Sequence, residues 1–254
     1  MPLVLHRGND RRAKEAGFTL VELGVVVVMM GVFAAILLPA LASAKEKSRR
    51  AVCQSNVHQL LYVLDLYATD NEDWLPSSLD NLGYYHSIRL SDQTFTNLVA
   101  LAGSSNIFYC PNVAFGSGSG PVASHDSFGY VIGYNYLANA VQTTQKGNDY
   151  WVSPKKITDA SSSELIADPN FWMKNTSTDP AFPPGLKIAP HGATGAAFVR
   201  RSLPTSGPAQ PTDSAGIGAV GGNIGYLDNS VQWRNMKQMQ TWSASSTLDS
   251  FGNW

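Results

Sequence analysis

The segment from Phe18 to Ala44 constrains this chain more than any other. Within it only Thr19, Glu22 and Ser43 carry polar side chains, and Pro39 sits near its far end. A bilayer needs about 20 apolar residues to be spanned. In lipid such a run is a helix, because a helix alone satisfies its own backbone donors and acceptors. Glu22 stands out, since a carboxylate in an apolar span costs about 2.5–3.5 kcal/mol and calls for a partner. The residues before it include Arg7, Arg11, Arg12 and Lys14 against Asp10 and Glu15. That basic excess predicts that the N-terminal side stays cytoplasmic and the rest lies across the membrane.

The helix is expected to continue past the apolar run, from Phe18 to about Thr69, or roughly 75–80 Å at 1.5 Å per residue. Lys45-Glu46-Lys47-Ser48-Arg49-Arg50 reads as a charged collar. Beyond it Val57, Leu60, Leu61, Leu64 and Ala68 recur with the period of one helix face. Asp70-Asn71-Glu72-Asp73 and Leu75-Pro76 end the element. Gly31 and Pro39 are bend points, and a break into two helices at Pro39 is the alternative.

From Trp74 the texture changes to short apolar runs between turn residues. Strands are expected at Ile107-Phe108-Tyr109, Tyr130-Val131-Ile132, 164–167, 196–199, 223–227 and 230–233. Asp228-Asn229 makes a hairpin turn between the last two. Thr94 to Ala102 reads as a short helix, and 116–127 and 201–222 as long loops. The fold class is therefore α+β: a long N-terminal helix, transmembrane then amphipathic, packed on a C-terminal antiparallel sheet. The predicted divisions are a leader at 1–17, a transmembrane half-helix at 18–44, an amphipathic half at 45–75 and an extracytoplasmic head at 76–254.

Charged residues make up 15% of the 254, against a usual ~25%. The formal net charge of −1 gives no electrostatic support for nucleic-acid binding.

Lys14-Glu15-Ala16-Gly17-Phe18-Thr19-Leu20-Val21-Glu22-Leu23 resembles the processing motif of type IV prepilins and type II secretion pseudopilins. The resemblance implies a pilin-like fold and a cut after Gly17 by prepilin peptidase. It implies N-methylation of Phe18, and pairing of Glu22 with the new terminal amine of a neighbouring subunit. Opposite charges attract strongly in a poor dielectric, but pairing within one subunit stays open on the residues alone. The implied partners are prepilin peptidase, sister pilin subunits and an inner-membrane assembly platform. The implied place is the bacterial inner membrane, as a single-pass protein with its head outside the cytoplasm.

The later sequence is similar to large pseudopilins of environmental bacterial lineages, at Ser55-Asn56-Val57, Tyr67 to Asn71, Trp74-Leu75-Pro76, Cys110-Pro111, His191 and Gly221 to Asp228. It departs at Asn229-Ser230, where Gly-His is usual. Asn still tolerates the left-handed backbone the turn needs.

Cys53 and Cys110 are the two cysteines. Outside the cytoplasm they can form a disulfide between helix and sheet; two buried free thiols are the alternative. Gly216-Ile217-Gly218-Ala219-Val220-Gly221 matches a dinucleotide pattern by letter but leads into a strand, not a helix. Gly116-Ser117-Gly118-Ser119-Gly120 lacks a nucleophile elbow. The five histidines have no zinc spacing, and His191 reads as a loop or packing residue rather than a base.

No metal site is therefore expected, and no cofactor, save that Ca²⁺ could sit on the Asp70–Asp73 acids or on Asp213 and Asp228. Helix termination and turn formation explain those acids as well. No nucleophile–base or paired-acid constellation supports an enzyme. The expected function is a structural fibre subunit. The alternative is an anchored binding module, a minor pilin whose aromatic loops take polysaccharide or a secreted substrate; Trp151, Trp172, Trp233, Trp242 and Trp254 could form such a surface, though core and interface packing explains aromatics more often.

Overall fold

A computed structural model describes residues 19–113, 125–140, 145–146, 149–150, 152–173, 187–193, 195, 197–199, 214–246 and 250–254. The chain divides into two compact units, 1–41 and 42–254, and helix α1 (Leu20–Thr69) runs through both. Pro39 lies inside α1 without ending it, although it removes one helix hydrogen bond.

In the first unit Leu20, Val21, Met30, Phe33, Ile36 and Leu38 are all exposed. Water would not tolerate such a face. This helix is long and apolar enough to cross a membrane.

In the second unit α1 turns amphipathic. Cys53, Val57, Leu60, Leu61, Leu64 and Ala68 are buried, following the 3.6-residue period. The helix stops where Glu72 and Asp73 take left-handed φ of 55° and 68°. The amides of Asn71 and Asp73 donate back to the Ala68 carbonyl.

The remaining elements are β1 (Arg89–Leu90), α2 (Asp92–Ala102), β2 (His125–Asp126), β3 (Gly129–Val131), β4 (Asn135–Tyr136), β5 (Gln145–Lys146), β6 (Asp149–Tyr150), β7 (Glu164–Ala167), β8 (Phe171–Met173), β9 (Lys187–Ala189), β10 (Ala197–Val199), β11 (Gly221–Tyr226), β12 (Val231–Asn235), β13 (Thr241–Ser243) and β14 (Ser250–Asn253). A four-stranded sheet has the order β12-β11-β7-β4, and a five-stranded sheet β10-β9-β8-β14-β13. Smaller sheets are β1-β3-β2 and β5-β6. The pairings are antiparallel throughout. The class is α+β, a long helix with antiparallel sheets.

The four-stranded sheet is what α1 packs on. A Cβ on Gly225 of β11 would meet Val57 Cγ1 at 2.7 Å and Leu61 Cδ1 at 3.0 Å. Glycine at that point lets the helix seat against the strand.

Local chemistry explains the other elements. Ser91 caps α2 by accepting the Thr94 amide, and Gly103 closes it with a left-handed φ of 68°. In the β11–β12 hairpin Asn229 has φ 63°, and Asp228 Oδ1 accepts the Ser230 amide.

One expected strand is corrected. Residues 106–108 form a 3-10 turn, started by the Ser104 hydroxyl and the Ser105 carbonyl, which accept the Asn106 and Phe108 amides. Ile107, Phe108 and Tyr109 are all buried, so the run lacks the alternation of a half-exposed strand. The expected loops 116–127 and 201–222 lie largely outside the described residues. Their described parts include β2, a 3-10 turn at Ser214–Ile217 and the start of β11.

Candidate functional site

Two sets of side chains carry the chemistry, one in each unit. At the start of α1, the Thr19 amide and hydroxyl both donate to Glu22 Oε2, at 2.9 and 2.8 Å. The Glu22 amide donates to Thr19 Oγ1 at 3.2 Å. This reciprocal arrangement is a capping box, and the Thr-x-x-Glu spacing is its sequence signature. Glu22 thus has a partner inside its own chain, and between them the two side chains satisfy two amides that a helix start leaves open. Gly17 and Phe18 lie outside the described residues.

The second set gathers around the middle of α1, where the helix enters the second unit's sequence. The collar reading of Lys45 to Arg50 needs correction, because Glu46 is only 3% exposed. It lies in phase with Arg50, Cys53 and Val57, four, seven and eleven residues on. Helical spacing therefore turns it to the buried face. Its Oε1 accepts from Arg50 Nε at 3.0 Å and pairs with His191 Nδ1 at 2.8 Å. Its Oε2 accepts from Asn112 Nδ2 at 2.8 Å.

His191 lies in the loop that follows β9 and is fully buried, where its ring meets more polar partners than a packing residue needs. Its Nε2 lies 3.3 Å from Asp168 Oδ2, so each ring nitrogen faces a carboxylate. The two hydrogens of the Asn112 amide go to Glu46 Oε2 and the Pro190 carbonyl. That leaves His191 Nδ1 to donate to Glu46. Burial pushes the His191 pKa down, but Asp168 and then Glu46 outweigh it, so it stands above its ordinary value. Burial pushes Glu46 up, but hydrogen bonds from His191, Arg50 and Asn112 hold it below the usual carboxylate range.

Asp168 directly follows β7. Pairing with β11 places Asn223 beside it, and Oδ2 accepts the Asn223 amide at 2.6 Å and its side-chain Nδ2 at 2.9 Å. Asp168 Oδ1 is buried and accepts no hydrogen bond among the described residues. Arg50 also donates to the Gly192 carbonyl at 3.1 Å. Its guanidinium stacks 4.5 Å over Trp233, whose indole meets the His191 ring edge-on. Arg49 donates to Asn112 Oδ1 at 2.9 Å.

Cys53 on α1 and Cys110 after the 3-10 turn form a disulfide, with Cα atoms 5.2 Å apart. It lies against the ion cluster, with Cys110 Sγ 3.8 Å from His191 Nε2. The ligand atoms of Cys53, Cys110, Asp168 and His191 all fall within 4.8 Å of one another.

Other sequence candidates disperse. Asp70, Asn71, Glu72 and Asp73 are exposed at the end of α1, and Asp228 serves the hairpin turn. Asp213 and Trp151 lie outside the described residues. Trp172, Trp242 and Trp254 are buried, so they contribute packing rather than a contact surface. The glycine pattern at 216–221 runs from a 3-10 turn into β11, without the helix a dinucleotide would need.

The relatives of this chain share its N-terminal region. The chain is 41% identical over 61 residues to the type II secretion system core protein G of Klebsiella michiganensis, covering 24% of this chain and 43% of that protein. It is 39% identical over 61 residues to the core protein G of Escherichia coli, covering 24% and 42%. With that of Dickeya chrysanthemi the identity is 37% over 70 residues, covering 28% and 45%. The likeness to these secretion-system pseudopilins is confined to the N-terminal region. It spans less than half the length of these curated relatives. No protein-family model and no solved structure matches it. One long apolar helix and pseudopilin homologues fit a membrane-anchored protein.

Proposed function

We propose that this chain is a structural subunit of a type II secretion pseudopilus or a related type IV pilus-like fibre. Prepilin peptidase cuts it after Gly17, and Phe18 becomes the methylated N-terminus. Before assembly it sits in the bacterial inner membrane as a single-pass protein, N-terminus cytoplasmic and head on the far side. Sister subunits and the inner-membrane assembly platform are its partners, and it is acted on rather than catalytic.

The observation that carries this reading is the exposed apolar half of α1 headed by the Thr19–Glu22 box, in the region shared with core protein G. An apolar helix face left exposed among the described residues needs lipid or sister helices around it. Among the described residues the bonds of Glu22 engage Oε2, and Oε1 would meet a neighbour's terminal amine and set the axial register.

Mass spectrometry of the membrane-extracted protein tests the reading. The expected mature chain starts at Phe18, and Gly17→Ala leaves the precursor uncut. A chain intact at Met1, or cut near Ala44 and released, overturns it. Glu22→Ala is expected to be processed but not incorporated into fibres.

A further inference from the structure

We propose that Cys53, Cys110, Asp168 and His191 form a zinc site, filled when the Cys53–Cys110 disulfide is reduced. The inference concerns the head alone and does not depend on the fibre reading. Zinc favours four tetrahedral ligands drawn from thiolate, imidazole and carboxylate, with Zn–S of about 2.3 Å and Zn–N and Zn–O of about 2.0 Å. Those bonds place nitrogen and oxygen ligands about 3.3 Å apart and sulfur and nitrogen about 3.5 Å apart. Here His191 Nε2 lies 3.3 Å from Asp168 Oδ2 and 3.8 Å from Cys110 Sγ. Two edges of the tetrahedron already stand near their final lengths. The sulfur–sulfur edge is closed by the disulfide and opens on its reduction.

The surroundings suit a closed structural site. All four residues are buried. Asp168 keeps its other oxygen, Oδ1, buried without a hydrogen bond among the described residues; a carboxylate binding the ion through both oxygens would give Oδ1 the partner it lacks. The outer support that metal ligands need is in place. Glu46 Oε1 lies 2.8 Å from His191 Nδ1, so it fixes the tautomer that presents Nε2. Asn223 donates twice to Asp168.

The chemistry balances with a dithiol as reductant. It gives two electrons and two protons to the sulfur–sulfur bond, yielding two thiols, and itself becomes a disulfide. Zinc then displaces both thiol protons and the proton on His191 Nε2, while Asp168 binds as the carboxylate. The same helix-to-core connection is thus made covalently under oxidising conditions and through the ion under reducing ones.

The test uses the full chain in detergent micelles, oxidised or reduced with a trialkylphosphine, which takes up the oxygen of one water as its oxide. Each sample is incubated with zinc, desalted anaerobically and assayed for metal by mass spectrometry. The reduced protein is expected to retain a single zinc ion per chain and the oxidised protein none. Cobalt in place of zinc is expected to give thiolate-to-metal charge-transfer absorption in the reduced protein. Glu46→Gln is expected to weaken zinc binding by about 10–100-fold. The inference falls if the reduced protein retains no more zinc than the oxidised one. It falls equally if Cys53→Ser/Cys110→Ser retains as much, or if the cobalt form of the wild-type chain lacks thiolate bands.

Discussion

Replacing Glu46 by alanine separates a solvated collar from a buried hub. In the wild-type chain its carboxylate holds His191 at 2.8 Å, Arg50 at 3.0 Å and Asn112 at 2.8 Å. Alanine would leave a buried imidazolium facing Asp168 alone and would orphan one hydrogen of the Asn112 amide. Removing one partner of a buried ion pair costs about 3–5 kcal/mol, because the remaining charge stays desolvated. At 2–4 °C per kcal/mol for a domain of this size, the melting temperature should fall by roughly 6–20 °C. Thermal unfolding of the oxidised full chain in detergent, followed by near-ultraviolet circular dichroism, measures it. The control is Lys47→Ala, one residue along on the exposed side of the same helix, expected within about 0.5 kcal/mol of wild type. If the two variants melt together, the buried hub is not what fastens α1 to the head.

Three further outcomes follow from the same packing. Reducing the disulfide without metal, or substituting Cys53→Ser/Cys110→Ser, frees a loop of sequence separation 57, and the chain-entropy model gives a loss of about 4 kcal/mol, readable in a denaturant titration. Gly225→Ala sets a methyl 2.7 Å from Val57 Cγ1 on a branched side chain that cannot swing away, so the same titration should show about 1–3 kcal/mol of destabilisation. The oxidised protein should also show a stability maximum in pH. His191 has a raised folded pKa, so its contribution is full below about 6.5 and lost as pH rises through the folded value. Glu46 has a lowered one, so its contribution is full above about 4.3 and lost as pH falls through the folded value. Melting temperatures across pH, compared with Glu46→Gln, check this; a flat difference curve would contradict the pairing.

Local patterns were enough for much of the fold. The apolar run, the period of Val57, Leu61 and Leu64, and the terminating residues at 70–76 mark out α1, because helix period and backbone hydrogen bonding are properties of contiguous sequence. The Asp228-Asn229 hairpin is legible for the same reason, since its turn depends on the residues within it. Strands such as β8, β9, β13 and β14 were not legible. They are three or four residues long, and their partners lie far away in sequence.

The hub depended on tertiary structure. Glu46 comes from α1, Asn112 from the stretch after the 3-10 turn, Asp168 from the end of β7 and His191 from beyond β9. Nothing local ties a lone histidine between Pro190 and Gly192 to two distant carboxylates. The in-phase spacing of Glu46 with Cys53 and Val57 was a signal in the sequence, but a charged residue in that phase reads equally as a solvated face until the sheet is seen to cover it. By itself the sequence determined the helix, its apolar half and the capping residues at its start. Only the folded sheets decided which charges lie in water and which must find each other in the dry interior, because burial is a property of what packs over a residue and not of the residue itself.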